Sequence, residues 1–262
     1  SPVLPVAIRA RSKGDEDKLA NALHRLQDED PAIRVERNPE THQTVLWAMG
    51  ETHAAIALEK LERKFGAAVD AEDVRVAYRE TINGTAEAEG RYKKQTGGHG
   101  QFGDCWVRVE PLDRGQGFEF GNEIFGGSIP KQYIPAIEKG MIEAAQRGYL
   151  AGFPVVDWKV TVYDGSYHDV DSSEMAFKLA ARKAFKAAME KCKPTLLEPV
   201  MNVEIQAPVE YAGDLMGDLN GRRGRISGMD TKGGTQIIKA QVPMSEMLSY
   251  QNDLTSMTQG RA

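Results

Sequence analysis

Cysteine is nearly absent from this chain. The two that its 262 residues contain, Cys105 and Cys192, stand far apart with no CxxC and no Cys/His spacing. Neither a disulfide framework nor a zinc site is indicated, and a reducing cytoplasm is the compartment that fits. No apolar run is long enough to span a bilayer, and Ser1-Pro2-Val3-Leu4 has neither a basic flank nor a signal-like apolar core. Excess positive charge is missing as well. The formal net charge of −5 excludes a protein that coats nucleic acid through bulk charge. The chain does not begin with Met, as expected of a fragment.

What is present is the composition of a soluble globular protein, 41% hydrophobic and 27% charged, at a length that suits one to three domains with real cores. Charge is unevenly spread. Residues 75–195 carry 17 basic against 16 acidic side chains, whereas 1–74 carry 10 against 14 and 196–262 carry 6 against 8. A polyanion contact is therefore expected in the middle segment, through local clusters.

Residues 1–74 read as a βαββαβ module. An apolar strand over 3–11 precedes a helix with Asp15, Glu16 and Asp17 at its start and Leu19, Ala22, Leu23 and Leu26 at helical spacing. Strands at 33–37 and 44–49 flank the turn Asn38-Pro39-Glu40, and Gly50 leads into a helix with Ala54, Leu58 and Leu61 on one face. Split β-α-β units of this kind make a ferredoxin-like sandwich. Residues 196–262 repeat the order: Met201, Val203 and Ile205 alternate, a helix runs through Leu215 and Leu219, a Gly233-Gly234 hairpin joins two strands, and Ser245 starts a last helix. Its fourth strand is lacking, so this module is expected to be incomplete. The stretches 69–74 and 193–199 read as short joints.

The middle segment, 75–195, is different. A strand begins at Val76 and Tyr78, and 86–95 pairs with 101–110 around Thr96-Gly97-Gly98-His99-Gly100. A strand over 118–125 leads to a helix start at Ser128-Ile129-Pro130. Val156, Trp158, Val160 and Val162 alternate before the stretch Asp164-Gly165-Ser166-Tyr167-His168-Asp169-Val170-Asp171-Ser172-Ser173-Glu174. A long helix follows, with Phe177, Ala180, Ala181, Ala184, Phe185, Ala188 and Cys192 on one arc and Lys178, Arg182 and Lys186 striping the other. In the strand-to-helix loop, Gly165 suits a tight turn, Asp171 can cap the helix and Glu174 can complete a capping box. Ser166, Tyr167 and His168 have no structural task.

Ser166, His168 and Asp171 invite a catalytic-triad reading, but neighbours on one loop rarely converge as a triad must. A metal held by His168, Asp169 and Asp171 lacks a second ligand cluster. From spacing alone a solvated loop leads both. Gly97-Gly98-His99-Gly100 is no phosphate cradle, since no strand-to-helix transition and no GxxxxGK[ST] follow. Arg91, Lys93, Lys94 and His99, with Tyr92 between them, suit contacts to an RNA backbone, or else a solvated ribbon. Lys178, Arg182 and Lys186 read as a wet helix face before an RNA platform. Arg222, Arg223 and Arg225, between Gly221 and Ile226, crowd three guanidiniums on one turn and call for an anion or a local carboxylate.

Three segments, Arg91-Tyr92-Lys93-Lys94-Gln95-Thr96-Gly97-Gly98, then 164–168 with 170–177, and finally Gly221-Arg222-Arg223-Gly224-Arg225-Ile226, closely resemble bacterial elongation factor G. The likeness runs in order over the whole chain: 1–74 is similar to domain III, 75–195 to domain IV and 196–262 to most of domain V. The fold class implied is α+β, two ferredoxin-like sandwiches flanking an elongated domain like part of ribosomal protein S5. The GTPase and β-barrel domains of that family have no counterpart here, so GTP and Mg would belong to the missing part of a parent protein. No cofactor, metal or catalytic residue is expected in this chain.

The resemblance implies that domain IV is an arm whose tip enters the decoding centre of the small ribosomal subunit beside tRNA and mRNA. The matching tip residues are Gly97, Gly98, His99, Gly100 and Gln101, with Ser166, Tyr167, His168 and Asp169. His168 matches the family's tip histidine, whereas His99 departs from the usual Arg or Ser. Arg91, Lys93 and Lys94, and on domain V Arg222, Arg223 and Arg225, are the further RNA-binding candidates, the latter toward large-subunit RNA. Gly221 stands where the family commonly has a basic residue. The implied role is cytoplasmic, monomeric and free of membranes: promotion of translocation during elongation. The alternatives are a sibling acting in ribosome recycling or ribosomal protection, and a free-standing hydrolase using Ser166 and His168.

Overall fold

A computed structural model of the protein describes residues 3–262, apart from the side chain of Thr96. Ser1 and Pro2 of the N-terminal segment, and the Thr96 side chain at the hairpin, lie outside the described residues. The chain divides into two compact units, Tyr78–Leu197 and the segments that flank it.

Through Ala77 the elements are β1 (Leu4–Ala10), α1 (Lys13–Glu29), β2 (Arg34–Arg37), β3 (Thr44–Ala48), α2 (Glu51–Arg63) and β4 (Val69–Glu72). The sheet order is β2-β3-β1-β4, antiparallel throughout, as a βαββαβ sandwich requires. Leu19, Leu23 and Leu26 of α1 and Ala57 and Leu61 of α2 close over Ile8 and Leu46 of the sheet. His53 clasps the helices together. Its Nδ1 accepts from the Met49 amide at 2.9 Å and its Nε2 meets the Asp30 carboxylate at 2.6 Å, just past the end of α1. The segment 69–74, expected to be a joint, is a strand as far as Glu72, because the buried side chain of Val69 joins the core at the sheet edge.

The unit Tyr78–Leu197 contains β5 (Arg79–Ile82), β6 (Ala86–Thr96), β7 (His99–Pro111), β8 (Phe118–Asn122), α3 (Ile134–Arg147), β9 (Trp158–Ser166), α4 (Glu174–Lys191) and β10 (Pro194–Leu197). Four strands form the sheet β6-β7-β9-β8, with β8 and β9 parallel, while β5 and β10 pair separately. The first strand starts at Arg79, not at Val76, and β8 stops at Asn122. The second expected joint, 193–199, carries β10, whose pairing with β5 closes the unit on itself.

Helix α4 dominates the packing. The arc Phe177, Ala180, Ala181, Ala184, Phe185, Ala188 and Cys192 is buried as its periodicity predicts. Its alanines allow the backbones to touch. A Cβ on Gly90 of β6 would stand 1.9 Å from the Ala180 carbonyl, and one on Gly103 of β7 would stand 2.7 Å from that of Ala176. On the other side, a Cβ on Gly140 of α3 would stand 2.7 Å from the Lys178 carbonyl. Lys178 and Arg182 are no wet face: both reach Glu143 of α3 at 2.8 Å, holding its carboxyl down to about 2.

Glu80 of β5 is a buried carboxylate that accepts four backbone N–H donors, from Tyr149, Leu150, Ala151 and Phe153, at 2.6–3.0 Å. Burial pushes its pKa up, and the four donors together outweigh that and bring it below the ordinary glutamate value.

Residues 198–262 form β11 (Val200–Pro208), α5 (Ala212–Gly221), β12 (Arg225–Lys232), β13 (Thr235–Pro243) and α6 (Tyr250–Met257). The sheet order is β11-β13-β12, three strands among the described residues. Leu215 and Leu219 of α5 and Leu254 of α6 pack on Ile205, Ile238 and Val242.

Two outcomes follow from this packing. Gly90→Ala forces α4 from the hairpin, and urea denaturation is expected to show a loss of roughly 2–3 kcal/mol or failure to fold, as overpacked cores do; an unchanged midpoint would contradict the contact. Glu80→Gln leaves at least two of the four donors poorly matched, at about 2–4 kcal/mol. Because the folded pKa of Glu80 is depressed, the stability it contributes is complete above about pH 4.5 and is lost as pH falls through the folded value. The variant should therefore show a flatter acid limb in thermal melts than the parent.

Candidate nucleic-acid interface

The hairpin of β6 and β7 turns through only two residues, Gly97 and Gly98, with φ of 51° and 116°. Both angles lie in the region that favours glycine, as a two-residue hairpin turn demands. His99, Gly100 and Gln101, expected in the loop, belong to β7. This register places Arg91, Lys93 and Gln95 on the same sheet face as Phe102, while pleating directs Lys94 to the other. The Arg91 guanidinium lies over the Phe102 ring, 5.4 Å from its centre.

The second segment differs from its sequence reading in two respects. Gly165 is inside β9 and makes no turn. It is glycine because a Cβ there would stand 2.2 Å from the Asp104 carbonyl and 2.5 Å from Ile129 Cδ1. The helix cap is Ser173, whose hydroxyl accepts from the Ala176 amide at 3.1 Å, and not Asp171. Asp171 is used elsewhere.

His168 is held by its own loop. Its Nδ1 accepts from the amides of Val170 and Asp171 at 3.2 and 3.1 Å, its carbonyl accepts from Ser172 N, and its amide donates to Ser172 Oγ. With Nδ1 accepting, the ring proton is on Nε2, so the exposed edge of the imidazole is a hydrogen-bond donor. Ser172 Oγ donates to the Phe102 carbonyl at 2.9 Å and the Phe102 amide donates to the Asp171 carbonyl at 2.9 Å, stitching this loop to β7. Gly100 completes the seam, since a Cβ there would stand 2.6 Å from Asp171 Oδ2.

Ser166 is engaged otherwise. Its hydroxyl donates to the buried Asp104 carboxylate at 2.7 Å. The neighbouring Asp104 carboxylate raises the Glu89 pKa. Among the described residues no hydrogen bond joins Ser166 to His168, so the nucleophile and base of a triad are not in contact. Asp169 is exposed beside them.

The two segments together border an open depression of about 250 Å³. Of the expected residues, Arg91, Lys93, Gln101, Tyr167 and His168 line it; Lys94, Gly97, Gly98, His99 and Ser166 do not. Gln95, Phe102 and Asp171 line it too. Sequence reasoning had not placed these three at an RNA-facing surface, although a turn at Gly97-Gly98 would have paired Lys93 with Phe102 and continued the Arg91, Lys93 face to Gln95.

The arginine turn finds its anions inside the molecule. Arg222 reaches Asp218 at 2.9 Å and Asp253 at 2.6 Å, and Arg223 makes a two-pronged pair with Glu198 at 2.9 Å and meets Glu246 at 3.2 Å. Arg223 adopts a φ of 60° at the end of α5, where Gly224 N reaches back to the Leu219 carbonyl. These two arginines thus have the local carboxylates that their crowding on one turn calls for. Arg225 is exposed and has no ion pair among the described residues.

Gly100→Ala is expected to displace the Asp171 side chain and loosen the seam while the fold persists. Amide exchange at Val170 and Asp171 should accelerate about tenfold or more, with amides in the middle of α4 unchanged; uniform protection would contradict the seam.

Against known proteins, the chain matches the family models Elongation Factor G, domain III over residues 1–73, Elongation factor G, domain IV over 74–193, and Elongation factor G C-terminus over 195–262. It is also similar to a solved structure, the crystal structure of ttk003000868 from Thermus thermophilus. The TM-score is 0.82 at 47% identity, over 99% of this chain and 39% of that one. The chain thus spans 39% of the length of that protein.

Proposed function

Because the chain belongs to the elongation factor G family, carrying its domains III and IV and its C-terminal domain, we propose that it is the ribosome-engaging part of a translational GTPase that promotes movement of tRNA and mRNA. The domains would be 1–74, 75–195 and 196–262. GTP hydrolysis would reside in a further domain of the parent protein, and the chain would act as a monomer in the cytoplasm. No helix among the described residues is long and apolar enough to cross a membrane.

The observation that carries this reading is the pre-oriented His168. Two backbone amides fix its ring so that Nε2–H faces solvent beside Tyr167, which is 46% exposed, and beside the cations Arg91 and Lys93. A donor held in place before its partner arrives avoids ordering cost on binding. Phosphate oxygens and 2′-hydroxyls of RNA accept from such a donor, and exposed aromatic rings stack on bases. In this reading the tip occupies the decoding centre and holds the codon–anticodon pairing while it moves, with Gly97, Gly98, His99, Gly100, Gln101, Ser166 and Asp169 shaping the surface. The work is steric and electrostatic, with no covalent step.

His168→Ala in a parent that includes the GTPase domain should slow single-round translocation about tenfold, the worth of one hydrogen bond of about 1.4 kcal/mol. Ribosome-stimulated GTP hydrolysis should stay within about twofold of the parent. Equal loss of both would sink the tip assignment, and activity in subunit splitting without translocation would assign recycling instead.

A further inference from the structure

The depression between the two tip segments is lined in a way that a smooth steric wedge would not need. The Arg91 guanidinium stands over the Phe102 ring with Glu89 as its acidic neighbour, and neither Arg91 nor Lys93 has an ion pair within 4 Å among the described residues. Arg91 is exposed, so its guanidinium can meet a base or a phosphate from solvent. His168 offers a fixed Nε2–H, and Tyr167 a half-exposed ring.

Asp171 adds an acceptor. Its side chain is only 20% exposed, and no N–H or O–H donor hydrogen-bonds its carboxylate among the described residues. The nearest ring nitrogen, His168 Nδ1 at 3.6 Å, is itself an acceptor for two amides. A half-sheltered carboxylate without a donor, in a hollow edged by two cations, lacks only a ligand that carries N–H groups.

Size narrows the ligand. At about 250 Å³ and open on one side, the hollow is smaller than the roughly 300–1,000 Å³ that encloses a free small molecule. One base with its phosphate at the rim fits it, with the rest of a strand running outside. Of the four RNA bases, guanine presents two parallel donors, N1–H and N2–H, which match both carboxylate oxygens. Cytosine and adenine present one amino group, and uracil one imino hydrogen between two carbonyls.

We propose that this depression holds a single unpaired guanosine of an RNA strand, its Watson–Crick edge on Asp171, its base against Tyr167 and its phosphate between Arg91 and Lys93. The inference rests on the RNA-contacting role of the tip, and it requires an unstacked nucleotide, because in a duplex that edge is already paired. The hollow thus gives the tip a reader of one base in addition to a backbone contact.

The test uses the 262-residue chain with labelled UUGUUU, UUUUUU and a short RNA duplex in fluorescence anisotropy, with free guanosine monophosphate as competitor. UUGUUU is expected to bind about 5- to 100-fold more tightly than UUUUUU, the range of a bidentate base contact, and more tightly than the duplex. Asp171→Asn should bring the two hexamers within about twofold of each other, and Tyr167→Ala should weaken UUGUUU about 5-fold or more. Equal binding of the two hexamers, preference for the duplex, or competition by the free nucleotide at the affinity of UUGUUU would each overturn the proposal. Co-sedimentation with ribosomes separates the two readings. Ribosome binding without a guanosine preference removes the pocket and leaves the tip's role standing, whereas failure to bind ribosomes removes that role itself.

Discussion

The unit Tyr78–Leu197 depends on how closely helix α4 lies against its neighbours. Hydrophobic burial alone would be met by larger side chains at a larger separation. Instead Gly90, Gly103 and Gly140 face alanines or bare backbone of α4, with room for no Cβ at any of the three. Packing at this distance has no continuous range of adjustment, since dispersion contacts fall away within an ångström and overlap is strongly resisted. The hairpin, the helix α3 and the start of α4 are therefore fixed as one body. The tip inherits that rigidity, because Ser173 caps α4 where Ser172 and Asp171 bond to β7.

From this follows the division of labour around His168. The side chains that organise the loop are not the ones that face solvent. Ser172, Gly100 and the amides of Val170 and Asp171 organise the loop that holds the ring, and Asp104 secures Ser166. Tyr167, His168, Arg91 and Lys93 line the depression. A site whose donors are locked by their own surroundings loses little entropy on binding, which suits the transient RNA contact proposed for it. The same logic explains Arg222 and Arg223, which look like an anion site in the sequence and are consumed by Asp218, Asp253, Glu198 and Glu246.

Much of the fold was legible because periodicity reports burial. The arc from Phe177 to Cys192 at α4 and the βαββα order of the first segment through α2 follow from spacing alone. What was not legible depends on contacts distant in sequence. Gly165 looked like a turn and is a close approach to Asp104 and Ile129, a distinction that no local pattern carries. Asp171 and Ser173 are both good caps by residue type, and only the bond to Ala176 chooses between them. The stretches 69–74 and 193–199 looked like joints because short strands at a sheet edge have no period to display. The candidate site was half legible. Cations and His168 stood out by type, whereas Phe102 and Gln95 emerge only once the two-residue turn at Gly97-Gly98 fixes the hairpin register.

The central claim is that this end of the unit meets RNA of the decoding region, and crosslinking addresses it most directly. With a photoreactive group at position 167 and the protein bound to ribosomes, crosslinks are expected in small-subunit RNA of the decoding centre or in the mRNA and tRNA within it. Crosslinks confined to the large subunit, or to ribosomal protein alone, would contradict it.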